Sequence, residues 1–381
     1  MCETCTGCVY VTLHVNTTKK CVSVNSYLSS DDRGVVFPSL GWQRRVAMRR
    51  WKYVSFGSSG TLGCAYVGML DALESQIDFH SWRQDLKGVS GTSAGCIAAL
   101  ALLLGLTAAD RKAALVDLVD MRQVLNGIDV SLLFRNYGVD DGSGFRECIS
   151  NILQRNGLSP HSTLGDLHRL LRVEFVALCT DIRTSTPVAL RASTHPHVKV
   201  CDAIYASCCI PFLFTPMELD GMELVDGCMT CSVPTVFEAA ETLHVWMLKT
   251  HTPSSDHSWF SFLGGLIKCT SYLQEPALNK LKADFPRNVC VLDTPFLRRQ
   301  STLDLDLKEN VVDRMVLAGY TSTLDWIVEG KWSRVLQQCV EMVVQLTKVT
   351  EPSADEVAPN FETQESAPAS GAGCGGAPGT A

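Results

Sequence analysis

Gly91-Thr92-Ser93-Ala94-Gly95 has the spacing G-x-S-x-G, which presents one serine hydroxyl as a nucleophile. The apolar run from Leu86 to Ser90 reads as a buried strand, and Ala94 to Leu104, ending at Gly105, reads as a buried helix. Strand, turn and helix together make a nucleophile elbow. The turn brings two backbones close together, so Gly91 and Gly95 avoid a Cβ clash, and Ser93 sits at the positive end of the helix dipole. Acyl transfer also needs a proton acceptor and donors for an oxyanion. Asp226, in Leu224-Val225-Asp226-Gly227, ends a hydrophobic strand and offers a carboxylate at the sheet's carboxyl edge. Partial burial makes a carboxylate a better base. The glycine-rich turn Gly57-Ser58-Ser59-Gly60-Thr61-Leu62-Gly63 supplies backbone amides, and those of Ser59, Gly60 and Leu62 are the expected oxyanion donors.

Other residues compete for these roles. Asp141-Gly142 and Asp220-Gly221 read as turns, the second in a hairpin over Met217–Leu224. Asp181 ends the run Val173–Thr180 and would serve as the acid in a different fold. His244, His251 and His257 are the candidates for a third member of a triad; a core or surface role is the plainer reading of each.

The elements that must position these groups alternate. Tyr53–Phe56 reads as the first strand, the glycine-rich turn follows, and a helix runs from about Cys64 to Gln76 before the elbow. This order predicts an α/β fold with a largely parallel sheet. Four stretches follow: a poorly defined leader over 1–52, a catalytic core over 53–250, an extension over 251–348 packed on that core, and a tail over 349–381. The tail is rich in Pro, Ala, Gly, Ser and Glu, a composition expected to stay disordered.

Four blocks in this order resemble the patatin-like phospholipase family: the glycine-rich turn, the Gly91–Gly95 elbow, Ala206-Ser207-Cys208-Cys209-Ile210-Pro211-Phe212, and Leu224-Val225-Asp226-Gly227. The resemblance covers roughly residues 53–250. It implies a three-layer sandwich with helices on both faces of the sheet. It also implies a Ser93–Asp226 dyad that releases fatty acids from phospholipid or acylglycerol, without metal or cofactor. The glycine-rich turn departs from the family pattern at three positions. Ser58 and Ser59 stand where glycines are usual, and Leu62 stands where many members carry Arg or Lys. Two other readings compete: an α/β-hydrolase esterase with a histidine triad, and a non-catalytic lipid-binding member of the family. In the first, several strands usually precede the serine; here only one strand–helix unit does.

Composition narrows the setting. The 381 residues are 46% hydrophobic and 19% charged, with a net charge of −7. Five of the surplus acids lie after Thr350, so the body is close to neutral and offers no nucleic-acid surface. No signal peptide or membrane-spanning stretch is evident, so the chain is expected to be cytoplasmic, with peripheral contact to membranes or lipid droplets. The seventeen cysteines then read as reduced thiols. Cys2, Cys5 and Cys8 lack a convincing fourth metal ligand, and Cys228-x-x-Cys231 lacks a thioredoxin-like context. Trp42–Lys52 joins five basic residues to two tryptophans and suits an anionic lipid interface, or simply a solvated lead-in to the first strand. Trp259–Ile267 reads as a lid or interfacial anchor, or equally as core, and its glycine pair weakens a helix assignment.

Overall fold

Strands near the N-terminus open the chain: β1 (Tyr10–Asn16) and β2 (Cys21–Tyr27) pair antiparallel, with Tyr10 opposite Tyr27. The computed structural model describes residues 10–16, 21–27, 51–119, 124–125, 127–248, 259–303 and 307–327. The tail, the cysteines Cys2, Cys5 and Cys8, residues 42–50, His251 and His257 lie outside them.

The body follows the expected alternation. β3 (Tyr53–Phe56) leads through a 3-10 turn over Gly60–Cys64 into α1 (Ala65–Gln76) and α2 (Phe79–Asp85). β4 (Gly88–Thr92) then enters α3 (Ala94–Leu104), followed by α4 (Ala108–Val119) and α5 (Val130–Asn136). Next come β5 (Gly138–Asp140), α6 (Ser143–Arg155), α7 (Leu164–Leu171), β6 (Glu174–Asp181) and β7 (Thr186–Arg191). α8 (Val200–Cys208) precedes β8 (Phe212–Phe214), β9 (Met217–Leu219), β10 (Met222–Asp226) and β11 (Thr242–Met247). The described chain closes with α9 (Trp259–Asp284), β12 (Val289–Leu292) and α10 (Glu309–Ile327).

One sheet dominates, in the order β12-β11-β3-β4-β6-β10-β9, with β7 also paired to β6. The strands β12, β11, β3, β4 and β6 run parallel, while β7, β9 and β10 are joined antiparallel. The sheet is thus largely parallel, as expected. α3 shows why its sequence has almost no polar residue: every residue except Leu104 is buried. A helix that is apolar all round belongs inside. It ends at Gly105, whose φ of 68° supplies the left-handed cap expected after Leu104. α4 packs on the 3-10 turn, and its Arg111, 1% exposed, is tied to α1 through Asp71 and Glu74, each at 2.5 Å.

Past residue 250 the chain extends the same sheet through β12, and α10 packs along α1. Two sequence readings are corrected here. Trp51 is buried and stacked on Trp326 at 5.6 Å, and Lys52 pairs with Glu241 at 2.6 Å, so this end of the basic segment is core and strand edge rather than lipid contact. Trp259–Ile267 is the first part of a 26-residue helix, despite Gly264-Gly265. Tertiary packing overrides the glycine penalty: Leu263, Ile267 and Ser271 face inward on one stripe.

His244 gives the fold a titration signature. It lies on β11 opposite Ser55, fully buried, and neither ring nitrogen has a hydrogen-bond partner. Burial pushes its pKa down from 6.5 to about 4. The unfolded chain therefore takes up a proton before the native state does. The neutral imidazole's contribution is complete above pH 6.5 and is lost as the pH falls to about 4. The loss amounts to about 3 kcal/mol at 1.36 kcal/mol per pH unit. Urea unfolding at pH 7, 5.5 and 4.5 should show wild type losing stability more steeply than His244→Phe. Parallel losses in the two proteins would remove His244 as the cause.

Candidate active site

The elbow forms as its spacing demands. Ser93 adopts φ 57° and ψ −132°, a strained conformation that stands the residue between β4 and α3. A Cβ on Gly91 would lie 2.3 Å from the Cys96 amide nitrogen, and one on Gly95 would lie 2.4 Å from the Phe56 carbonyl oxygen. The two glycines thus admit the start of α3 against β4 and the end of β3 against α3. Ser93 is 6% exposed.

Asp226 reaches the same place from the opposite direction. β4 pairs with β6 over Glu174–Leu178, with Thr92 opposite Leu178. β10 pairs with β6 over Cys179–Asp181, with Asp226 opposite Cys179. β7 occupies β6 from Val176 to Asp181, so it takes the other edge of that strand. β4 and β10 therefore share one edge of β6 and meet end to end. Thr92 and Asp226 occupy consecutive rungs, a separation along β6 of about 3.3 Å. The contacts at the junction agree. A Cβ on Gly227 would lie 3.0 Å from Thr92 Cγ2, and Thr92 Oγ1 donates to the Cys231 carbonyl at 3.2 Å.

The carboxylate is fixed in orientation. Asp226 is 1% exposed, and its Oδ1 accepts the Cys228 amide at 2.8 Å, capping a 3-10 turn over Gly227–Met229. α9 holds that turn in place: Thr270 Oγ1 and Gln274 Nε2 donate to the Cys228 carbonyl at 3.3 and 3.1 Å. Cysteines surround the pair. Burial pushes the Cys96 and Cys209 thiols up to about 12 and those of Cys179 and Cys208 well above their usual value. All four stay protonated at neutral pH and do not compete as nucleophiles.

The glycine-rich turn lies beside the elbow, with Gly63 close enough that a Cβ would lie 3.1 Å from that of Ala94. Its donors are not all available. The Leu62 amide closes the turn onto the Ser59 carbonyl at 3.3 Å, and the Thr61 amide donates to the Thr302 carbonyl at 3.0 Å. Leu62 is thus corrected as an oxyanion donor, because its N–H is engaged within the turn. Ser59 and Gly60 remain the candidates. Gly60 has φ 56°, and a Cβ there would lie 2.0 Å from the Thr302 carbonyl oxygen. The Leu62 side chain is buried in the core and puts no cation beside the site.

The competing residues take structural roles. Asp181 accepts from Thr184 Oγ1 at 2.7 Å and from the amides of Arg183 and Glu223, which holds its carboxyl below the usual range. Asp141 accepts the Ser143 amide at the start of α6. Asp220 and Gly221, both at positive φ, form the turn of the β9–β10 hairpin. His244 makes no side-chain hydrogen bond, so it orients neither Ser93 nor Asp226. Cys228 and Cys231 are not joined in a disulfide. Ser207 carries a part that its motif alone does not reveal. It accepts the Ser93 amide at 2.9 Å.

Residues 54–240 match the family model described as patatin-like phospholipase. Among solved structures the chain is similar to VipD from Legionella pneumophila, at 16% identity over 84% of this chain and 70% of that one, with a TM-score of 0.50. It is also similar to the type III effector protein ExoU, at 13% identity over 74% of this chain and 53% of that one, with a TM-score of 0.41. Full-length ExoU from Pseudomonas aeruginosa, in complex with SpcU, aligns at 16% identity over 73% of this chain and 53% of that one, with a TM-score of 0.37. No curated protein matches the sequence.

Proposed function

Residues 54–240 make this chain a member of the patatin-like phospholipase family, and on that premise we propose that it is a serine acyl hydrolase releasing fatty acids from lipid esters. The end-to-end meeting of β4 and β10 on β6 carries the reading, because it sets Thr92, the residue just before the elbow serine, and the buried Asp226 on consecutive rungs. Ser93 Oγ attacks the ester carbonyl as Asp226 takes its proton. The amides of Ser59 and Gly60 hold the negative oxygen of the tetrahedral intermediate. Collapse expels the alcohol, which leaves with the proton from Asp226. Water, activated by Asp226, then attacks the acyl-Ser93 ester, and the fatty acid departs. Fatty-acid release from matched phospholipid and acylglycerol vesicles tests the proposal and names the substrate class. Release from neither, with soluble esters also untouched, would sink it.

Lipid contact has its own support. No helix among the described residues is long and apolar enough to cross a membrane. α9 connects parallel strands β11 and β12, so its first half lies at the catalytic edge, where a Cβ on Gly264 would lie 4.0 Å from Leu303 Cδ1, next to the Thr302 that meets the Gly60 turn. On the outward side of that half Phe262, Leu266, Cys269, Tyr272 and Leu273 are exposed, Leu273 by 79%, with Lys268 half-buried among them. Leu263 and Ile267 are core and do not belong to the contact. Leu266→Ser with Leu273→Ser should weaken vesicle binding by tenfold or more, since burying one such side chain is worth about 1.5–3 kcal/mol. Hydrolysis of a soluble short-chain ester and the melting temperature should stay at wild-type values. Vesicle binding unchanged in sedimentation would assign the lipid contact elsewhere.

A further inference from the structure

We infer that Ser207 is a positioning residue for the nucleophile, holding the backbone of Ser93 at the junction where β4 stops and β10 begins. The inference rests on Ser93 as the nucleophile. At that junction the ladder of β4 on β6 ends with Thr92 opposite Leu178, and the elbow carries Ser93 off the sheet. The Ser93 amide therefore loses a strand partner while buried, a costly state for a backbone donor. Ser207 enters the gap from α8. Its Oγ accepts the Ser93 amide at 2.9 Å and donates to the Leu178 carbonyl at 2.6 Å. The Cys96 thiol, on α3, donates to the same oxygen at 3.1 Å.

This use of the hydroxyl is complete. A serine has one proton to give and two lone pairs to accept with. Here the proton goes to β6 and the two lone pairs to the elbow and the elbow helix. Ser207 is fully buried, so no water substitutes for a missing partner. One atom thus ties the nucleophile's main chain to the strand that also carries Asp226 at its next rung. The strained φ of Ser93 adds to the demand, because a strained conformation persists only where its surroundings over-determine it. Alanine at this position would leave both the Ser93 amide and the Leu178 carbonyl without Oγ. The elbow would then relax, and the attack geometry with it. Substrate binding would be spared, since Ser207 is sealed beneath the site.

The experiment compares wild type, Ser207→Ala, Ser207→Cys and Ser93→Ala in hydrolysis of a soluble ester and in labelling by a fluorophosphonate, which reports nucleophile reactivity without lipid binding. In Ser207→Ala, kcat and the labelling rate should fall together by about tenfold to a hundredfold, with KM within twofold of wild type. Ser207→Cys, whose larger sulfur is a weaker acceptor, should fall between wild type and alanine. It decides the question if the alanine variant does not fold. A folded variant of either kind with wild-type kcat and labelling, whatever its melting temperature, would show that Ser207 serves stability alone and overturn the inference. Full activity and labelling in Ser93→Ala would remove the nucleophile reading and this one with it. A dead Ser93→Ala beside an unimpaired Ser207→Ala overturns only the role of Ser207.

Discussion

Ser93→Ala is expected to abolish ester hydrolysis while the protein melts at the wild-type temperature. Removing the nucleophile closes the covalent route, a loss of at least about a thousandfold in kcat. The fold should not notice. The Ser93 hydroxyl caps no helix, and the backbone contact that holds the elbow runs through the amide, which alanine keeps. The strain at φ 57° is the same for both residues, since each carries a Cβ. Rates on a soluble ester and on vesicles, with a thermal melt beside them, check the two halves separately. Near wild-type turnover would mean that another group attacks the substrate.

Asp226→Asn should come close to the serine variant, with kcat falling by about a hundredfold to ten-thousandfold and KM little changed. Asparagine preserves volume, and its carbonyl oxygen still accepts the Cys228 amide that Oδ1 accepts now, so the turn over Gly227–Met229 stays capped. What disappears is the ability to take a proton. His244→Gln provides the contrast, since that ring bonds to nothing around it. Its kcat should stay within about tenfold of wild type, or 1.4 kcal/mol in activation free energy. A His244 variant as impaired as Ser93→Ala would restore the triad reading, and an active Asp226→Asn would remove the carboxylate from the mechanism.

Much of this was legible in the sequence because it is local. The elbow announces itself through two glycines four apart and an apolar helix behind them, and β3, β4, α1 and α3 lie where periodicity and glycine placement predict. The β9–β10 hairpin follows from Asp220-Gly221 in the same way. The remainder depends on long-range register. Nothing in Leu224–Gly227 says that its strand runs against β6 and stops at the rung beside Thr92. Nothing in the Ala206–Phe212 block distinguishes a hydroxyl that braces the nucleophile from a small residue that packs. The sequence does not separate a free Leu62 amide from one closing a 3-10 turn, because that choice rests on a single hydrogen bond. In α9 the glycine pair weighed against a helix, whereas burial of Leu263 and Ile267 decides for one.

The shared edge of β6 also sets a clock. Ser93 is built into an early strand–helix unit that closes short loops, whereas Asp226 lies more than a hundred residues later and docks only after β6, α8 and the β9–β10 hairpin exist. Closing so long a loop is slow compared with forming neighbouring pairs. A chain emerging from the ribosome folds from its N-terminus. It therefore carries the Gly91–Gly95 turn before either Ser207 or the carboxylate has arrived to complete the site. On the proposed mechanism hydrolytic competence would arrive late, and a fragment that ends before Asp226 should release no fatty acid.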